Sequence, residues 1–149
     1  LVSQKLGAGL PEDAAACGWI ATGMGAIFLT GVGIFFWVFA EELAGFFSDD
    51  PEVVSLAVDC LRVAAVAQPL MAVTDGLAGS LRGAGDTRTP MLVAIAGPLG
   101  IRLAACWLLA FELEMGLLGF WIANTIDWVV RAIVLAIVFL RGRWKSIEV

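Results

Sequence analysis

The chain has 149 residues, of which 60% are hydrophobic and 15% charged, and its mean hydropathy is +0.93. That is too apolar for a water-soluble domain of this size, whose surface must be largely polar. There is no His and no Tyr, and the net charge is −5, so imidazole-dependent catalysis is excluded and nucleic acid is not an expected partner.

The apolar residues fall into four runs. The first follows Leu10-Pro11-Glu12-Asp13, where proline suits the first turn of a helix and early acids complement its dipole. Residues 14–40 then carry no charge, a run longer than the ~20 residues a bilayer core requires. Glu41-Glu42 end it, and Phe46-Phe47 read as an interfacial segment. Asp50 is placed to cap the second helix, with Pro51 at its first position. That span covers residues 53–81, long enough to require tilt, protrusion or a kink at Pro69. The third covers 90–111, interrupted by Gly97-Pro98 and Gly100, and the fourth covers 116–140. Gly142 reads as its stop signal and Trp144 as an interfacial anchor. The expected fold class is therefore an all-α membrane protein with four transmembrane helices.

The cations sort by position. Lys5, Arg82, Arg88, Arg141, Arg143 and Lys145 lie at the start, in one middle loop and at the end, whereas the connections around residues 41–50 and 112–114 carry acids and no Lys or Arg. The positive-inside rule then makes the end segments 1–13 and 141–149 cytoplasmic. Acidic loops and the excess of Arg over Lys, seven to two, suit a high-salt environment. The opening LVSQKLGAG lacks an initiator Met and the layout of a signal peptide, and reads like the tail of a preceding helix. The chain is expected to be a piece of something longer.

The remaining three cations, Arg62, Arg102 and Arg131, sit inside apolar runs with Asp59, Asp75 and Asp127. An ionisable group in lipid costs about 2.5–3.5 kcal/mol on insertion scales, so each should face a partner or a wet cavity. Counted along straight helices, Arg102 and Asp127 reach similar depths, as do Arg131 and Asp75, so both pairs are candidates for ion pairing between helices. Asp59 and Arg62 are placed to pair locally at i, i+3. Asn124, Asp127 and Arg131 share one helix face, and Gln68 and Asp75 share another. Two roles stay open. These groups are structural pairs holding the helices in register, or Asp75, Gln68 and Asn124 line a water-filled path for an ion or substrate. Gly97-Pro98 and Pro69 likewise suit a broken, cavity-lining helix or a hinge, while Gly23, Gly25, Gly31 and Gly33 suit close helix packing. Cys17, Cys60 and Cys106 have unrelated spacings and read as packing residues, and no metal-ligand cluster is present. No enzyme, metal or cofactor is expected.

Two glycine-rich turns echo each other: Leu6-Gly7-Ala8-Gly9 before Pro11, and Arg82-Gly83-Ala84-Gly85-Asp86 before Pro90. Neither is a phosphate loop, since no strand precedes and no Lys-Ser/Thr follows; each reads as a tight helix-to-helix turn with positive-φ positions. In context they carry more. Val2-Ser3-Gln4-Lys5-Leu6-Gly7-Ala8-Gly9 with Pro11-Glu12-Asp13-Ala14 resembles the loop after the eighth helix of multidrug and toxic compound extrusion (MATE) transporters. Ser80-Leu81-Arg82-Gly83-Ala84-Gly85-Asp86-Thr87-Arg88 is similar to that family's turn between helices ten and eleven. Gly100-Ile101-Arg102-Leu103, Gly119-Phe120-Trp121 and the ending Asp127…Arg131…Arg141-Gly142-Arg143-Trp144 resemble its last two helices.

The resemblance implies a cation-coupled antiporter, driven by H⁺ or Na⁺, of twelve helices in two six-helix lobes. This chain would supply most of the C-terminal lobe, in a cell membrane, with the N-terminal lobe as its partner. Substrates would be small cationic or amphipathic molecules. Some members of the family use an acid on helix ten, but that position falls on Met71 here, so Asp75, one turn away, is a candidate on its own placement. Two alternatives accompany this reading. One is a lipid-linked sugar flippase of the same superfamily, which would want a cationic cavity such as the Arg102 and Arg131 faces permit. The other is a non-transporting helical membrane scaffold.

Overall fold

A computed structural model describes residues 1–146 and is helical, with no strand among the described residues. A short α1 (Val2–Gly7) leads into α2 (Pro11–Val38). Glu12 and Asp13 lie in the first turn of α2, as the dipole favours. A short α3 (Ala40–Phe47) follows, and its Phe46 and Phe47 are more than four-fifths exposed, at 84% and 85%. Next comes α4 (Pro51–Gly83), whose first turn is closed by the Asp50 carboxylate accepting from the Glu52 amide at 2.9 Å. Its 33 residues extend about 50 Å, and it runs through Pro69 as one helix.

The third long helix, α5 (Arg88–Glu112), is continuous. The sequence suggests a break at Gly97-Pro98, but the chain widens instead into π-helical turns at Gly97–Arg102 and again at Trp107–Glu112. Pro98 has no N–H for the usual i−4 bond, and a wider turn lets the neighbouring carbonyls find donors one residue further on. The last long helix is α6 (Gly116–Arg141), which stops at Gly142 in the left-handed region, φ +67°.

These four long helices are each long and apolar enough to cross a membrane. Within the most apolar stretch of each, 33% of α4 and 33% of α6 is buried inside the chain, against 11% of α2 and 6% of α5. So α4 and α6 form the centre, α2 packs on α4, and α5 packs on α6. Glycines set the closest approaches. A Cβ on Gly33 would lie 2.7 Å from the Ala65 carbonyl oxygen, and one on Gly119 would lie 2.8 Å from the Leu109 carbonyl carbon.

The end carrying the cations is closed by a cluster that includes Ala14, Leu77, Leu81, Leu135, Phe139 and Trp144. Trp144 corrects the sequence reading. The left-handed turn at Gly142 reverses the chain, so the indole enters the protein and not the membrane interface. It is 2% exposed, stacks on Phe139 at 4.8 Å and donates its N–H to the Phe139 carbonyl at 2.9 Å.

Candidate functional site

The intramembrane charges resolve into one cluster, one separate pair and one groove. In the cluster, Asp127 is completely buried. Arg102 from α5 donates to Asp127 Oδ2 from Nε at 3.1 Å and from Nη2 at 2.7 Å. Arg131, one turn on along α6, donates from Nε to Oδ1 at 2.9 Å and from Nη2 to Oδ2. Its guanidinium also lies over the Trp128 ring, 4.5 Å from the centroid. The wide turn of α5 makes room for this. A Cβ on Gly97 would fall on Asp127 Oδ1 and 2.6 Å from Arg131 Nε, so only glycine lets α5 press against the cluster. Two guanidiniums share one carboxylate, which leaves the cluster with a formal charge of +1 inside an apolar region. In a medium of low dielectric each of these contacts is strong, and so is the penalty for removing one partner.

Equal depth suggests that Arg131 meets Asp75, and the structure shows otherwise. Arg131 turns to Asp127 on its own helix, while Asp75 leaves α4 on the side facing α1 and α2. There Asp75 is exposed and makes no ion pair among the described residues. It lines an open groove of about 380 Å³ whose wall is mostly apolar, Leu1, Val2 and Ala21 included, with Ser3 and Ser80 as its other polar side chains. Beside it, the buried Thr22 hydroxyl has no hydrogen-bond partner and faces the backbone of Gly76, where a Cβ would lie 2.6 Å away. Ser80 donates to the Gly76 carbonyl at 2.8 Å. Ser3, Cys17, Thr22 and Ser80 were not legible as neighbours of Asp75, because three different helices supply them.

Gln68 does not join this groove. It sits half-buried at the α2–α4 crossing, with its Cβ 3.4 Å from the position a Cβ on Gly33 would take. Asn124 is half-buried on α6. The expected Asp59–Arg62 pair is also corrected. Arg62 Nη2 donates to Glu41 Oε1 at 3.3 Å and stacks 5.9 Å from the Trp37 ring centroid. The reason is that α3 packs back onto α4 and brings Glu41 across. Asp59 remains exposed beside them in a cleft of about 410 Å³.

The two glycine turns share one hydrogen-bond pattern. Leu10 N–H donates to the Lys5 carbonyl and Asp86 N–H to the Leu81 carbonyl, both at 3.0 Å. Gly9 (φ +71°) and Gly85 (φ +89°) hold the left-handed positions, which is a Schellman end on each helix. Gly7 and Gly83 close the helices themselves, and Gly83 leaves α1 only 3.7 Å from a would-be Cβ, at Val2. Asp86, just before α5, accepts from the Thr89 amide in its first turn at 3.0 Å, while Arg82 is exposed.

Four packed apolar helices, an interior charge cluster and two matching helix-end turns define a multi-pass helical membrane protein. Residues 1–108 match the MatE family, and the chain belongs to that family. It is 29% identical over 129 residues to a probable multidrug resistance protein NorM of Thermotoga maritima, covering 87% of this chain and 27% of that protein. It is 36% identical over 126 residues to the probable NorM of Brucella suis, covering 81% and 27%. With the multidrug resistance protein NorM of Burkholderia vietnamiensis it shares 37% over 129 residues, covering 80% and 27%. The chain thus spans about a quarter of the length of these relatives. None of the three is named as an enzyme.

Proposed function

We propose that the chain is part of a cation-coupled multidrug efflux antiporter, driven by H⁺ or Na⁺, that works by alternating access between two lobes. In this reading Asp75 stands on the ion pathway. The observation that carries it is a carboxylate with no ion-pair partner among the described residues, opening into a groove at the meeting of three helices. A free carboxylate in such a place is the group that an H⁺ or Na⁺ would occupy and that a conformational change would alternately cover and expose. The basic end faces the cytoplasm, because all six loop cations lie there. Small molecules, cationic or amphipathic in this reading, are the substrates; the relatives are named as multidrug resistance proteins. The test uses the full-length transporter in sealed vesicles with an imposed H⁺ or Na⁺ gradient. Asp75→Asn should reduce gradient-driven extrusion of a cationic dye about tenfold or more, as expected when a group acting in the transport cycle is removed. Extrusion at the full rate, with unchanged pH and Na⁺ dependence, would remove Asp75 from the mechanism.

One observation favours a second reading, a lipid-linked sugar flippase. The Arg102–Asp127–Arg131 cluster carries an excess positive charge, and a diphosphate-bearing substrate would complement it. Movement of a polyprenyl-phosphate sugar across vesicles, lost in Arg102→Gln, would establish it over drug efflux.

A further inference from the structure

Charge at the basic end is divided unevenly between its two sides. Next to α2 the cations are neutralised: Lys5 pairs with Asp13 at 3.1 Å and Lys145 with Glu12 at 2.8 Å. Next to α5 and α6 the balance differs. Arg82, Arg88 and Arg141 are exposed and make no ion pair among the described residues. Asp86 is the only acid between Asp75 and Glu112, and its carboxylate accepts from the Thr89 amide.

A cleft of about 180 Å³ opens on this side, lined by Asp86, Thr89, Val138, Arg141, Arg143 and Trp144. The left-handed turn at Gly142 brings the arginines on either side of it to one cavity. Trp144 has given its N–H to the Phe139 carbonyl, so the side-chain donors of the lining are the two guanidiniums and the Thr89 hydroxyl. A guanidinium grips a phosphate through two parallel N–H bonds. The cleft is smaller than pockets for drug-sized molecules, which begin at about 300 Å³. It suits a phosphate group.

The level of the cleft in the bundle shows where such a phosphate comes from. Thr89 stands in the first turn of α5 and Arg141 is the last residue of α6, so its walls are the ends of two spanning helices, at headgroup height. Below it both helices carry exposed apolar residues at helical spacing: Leu92, Ile95 and Leu99 on α5, and Ile133, Ile137 and Leu140 on α6. A phospholipid uses both parts, the phosphate in the cleft and the acyl chains along the stripes. A soluble phosphate uses only the first. The unpaired arginines favour a headgroup of net negative charge over a zwitterionic one, whose own cation would lie among them.

We propose that this cleft binds the headgroup of an anionic phospholipid, with its phosphate on Arg141 and Arg143 and its acyl chains against α5 and α6. The site is apart from Asp75, which opens toward α1 and α2. Binding needs neither an ion gradient nor a transported substrate, so its test is independent of the coupling mechanism.

Native mass spectrometry of the full-length transporter in detergent counts the lipid that stays bound. The probes are phosphatidylglycerol and phosphatidylcholine with identical acyl chains, and glycerol phosphate as a soluble headgroup. Phosphatidylglycerol should bind about tenfold or more tightly than phosphatidylcholine, and about a hundredfold excess of glycerol phosphate should not displace it. Arg141→Gln should weaken phosphatidylglycerol about fivefold and Arg141→Gln/Arg143→Gln about twenty-five-fold, the scale of one and two cations at a lipid surface. Both side chains are exposed, and thermal unfolding without lipid verifies that the variants stay folded. Lys5→Gln removes the same charge beside α2 and should leave the affinity within about twofold. Equal binding of the two lipids overturns the proposal. So does equal weakening by Lys5→Gln and Arg141→Gln, which would assign the affinity to net charge. Displacement by glycerol phosphate would make the cleft a site for a soluble phosphate and overturn its assignment to a lipid.

Discussion

The two ends of this bundle are built from the same four helices and solve different problems. At the basic end, Leu77, Leu81, Leu135, Phe139 and Trp144 interlock, and charged residues tie the edges: Lys145 to Glu12 at 2.8 Å and Lys5 to Asp13 at 3.1 Å. At the acidic end the buried cluster is three small or medium residues, Ala40, Ala44 and Val58, and beside it a cleft stays open. The difference lies in side-chain size along α4. Large residues near its C-terminal end reach both neighbours, whereas alanines near its start leave a gap that no other described side chain fills. Within a membrane, helices gain little from hydrophobicity and hold together through close contact and polar links. The basic end is therefore the tightly packed clamp, and the acidic end is the loosely packed one.

Substitutions at both ends test that contrast. The largest effect is expected from Trp144→Ala, which leaves a void under Phe139 and removes a buried hydrogen bond; about 3–5 kcal/mol of stability should be lost. Phe47→Ala, at a ring 85% exposed, should change stability by less than about 0.5 kcal/mol. Thermal unfolding of the full-length protein in detergent measures both, and similar shifts for the two would dissolve the contrast. Next comes overpacking. Gly18→Leu meets Phe139 at once and should destabilise by about 1–3 kcal/mol, while Ala57→Leu enters the open cleft and should be neutral or mildly stabilising. An equal penalty at both sites would mean that the acidic end is closed as tightly as the basic end. The smallest effect is expected at the Lys145–Glu12 pair, whose glutamate is 84% exposed. Lys145→Ala should cost less than about 1 kcal/mol, and the cost should fade at high salt. A larger, salt-independent loss would assign the clamp to charge and not to packing.

Much of the architecture follows from residues read in order. The uncharged run of residues 14–40 leaves no option but a long apolar helix, Asp50-Pro51 starts the next one, and the Gly9 and Gly85 turns have a backbone geometry that other residues resist. Partner choice was less legible. Depth along a helix is a count of residues, and on that count Arg131 and Asp75 are level. Whether two level groups meet depends on azimuth, and α4 presents Asp75 toward α1 and α2 while Arg131 looks along α6 to Asp127. Arg62 illustrates the same limit. Asp59 is nearest in sequence, but Glu41 is delivered by the fold of α3 onto α4.

Four apolar helices, their caps and turns, the alternation of basic and acidic loops, and the residues that resemble a transporter family are all legible along the chain. These are properties of local composition and backbone preference, readable one segment at a time. That Asp127 is shared by two arginines, that Trp144 closes the basic end from inside, and that a cleft opens between α2 and α6 emerge only once the helices pack. Each depends on which faces of three helices meet, and that is set by close contacts such as Gly97 against the Asp127 cluster, where the absence of a single Cβ positions an entire helix.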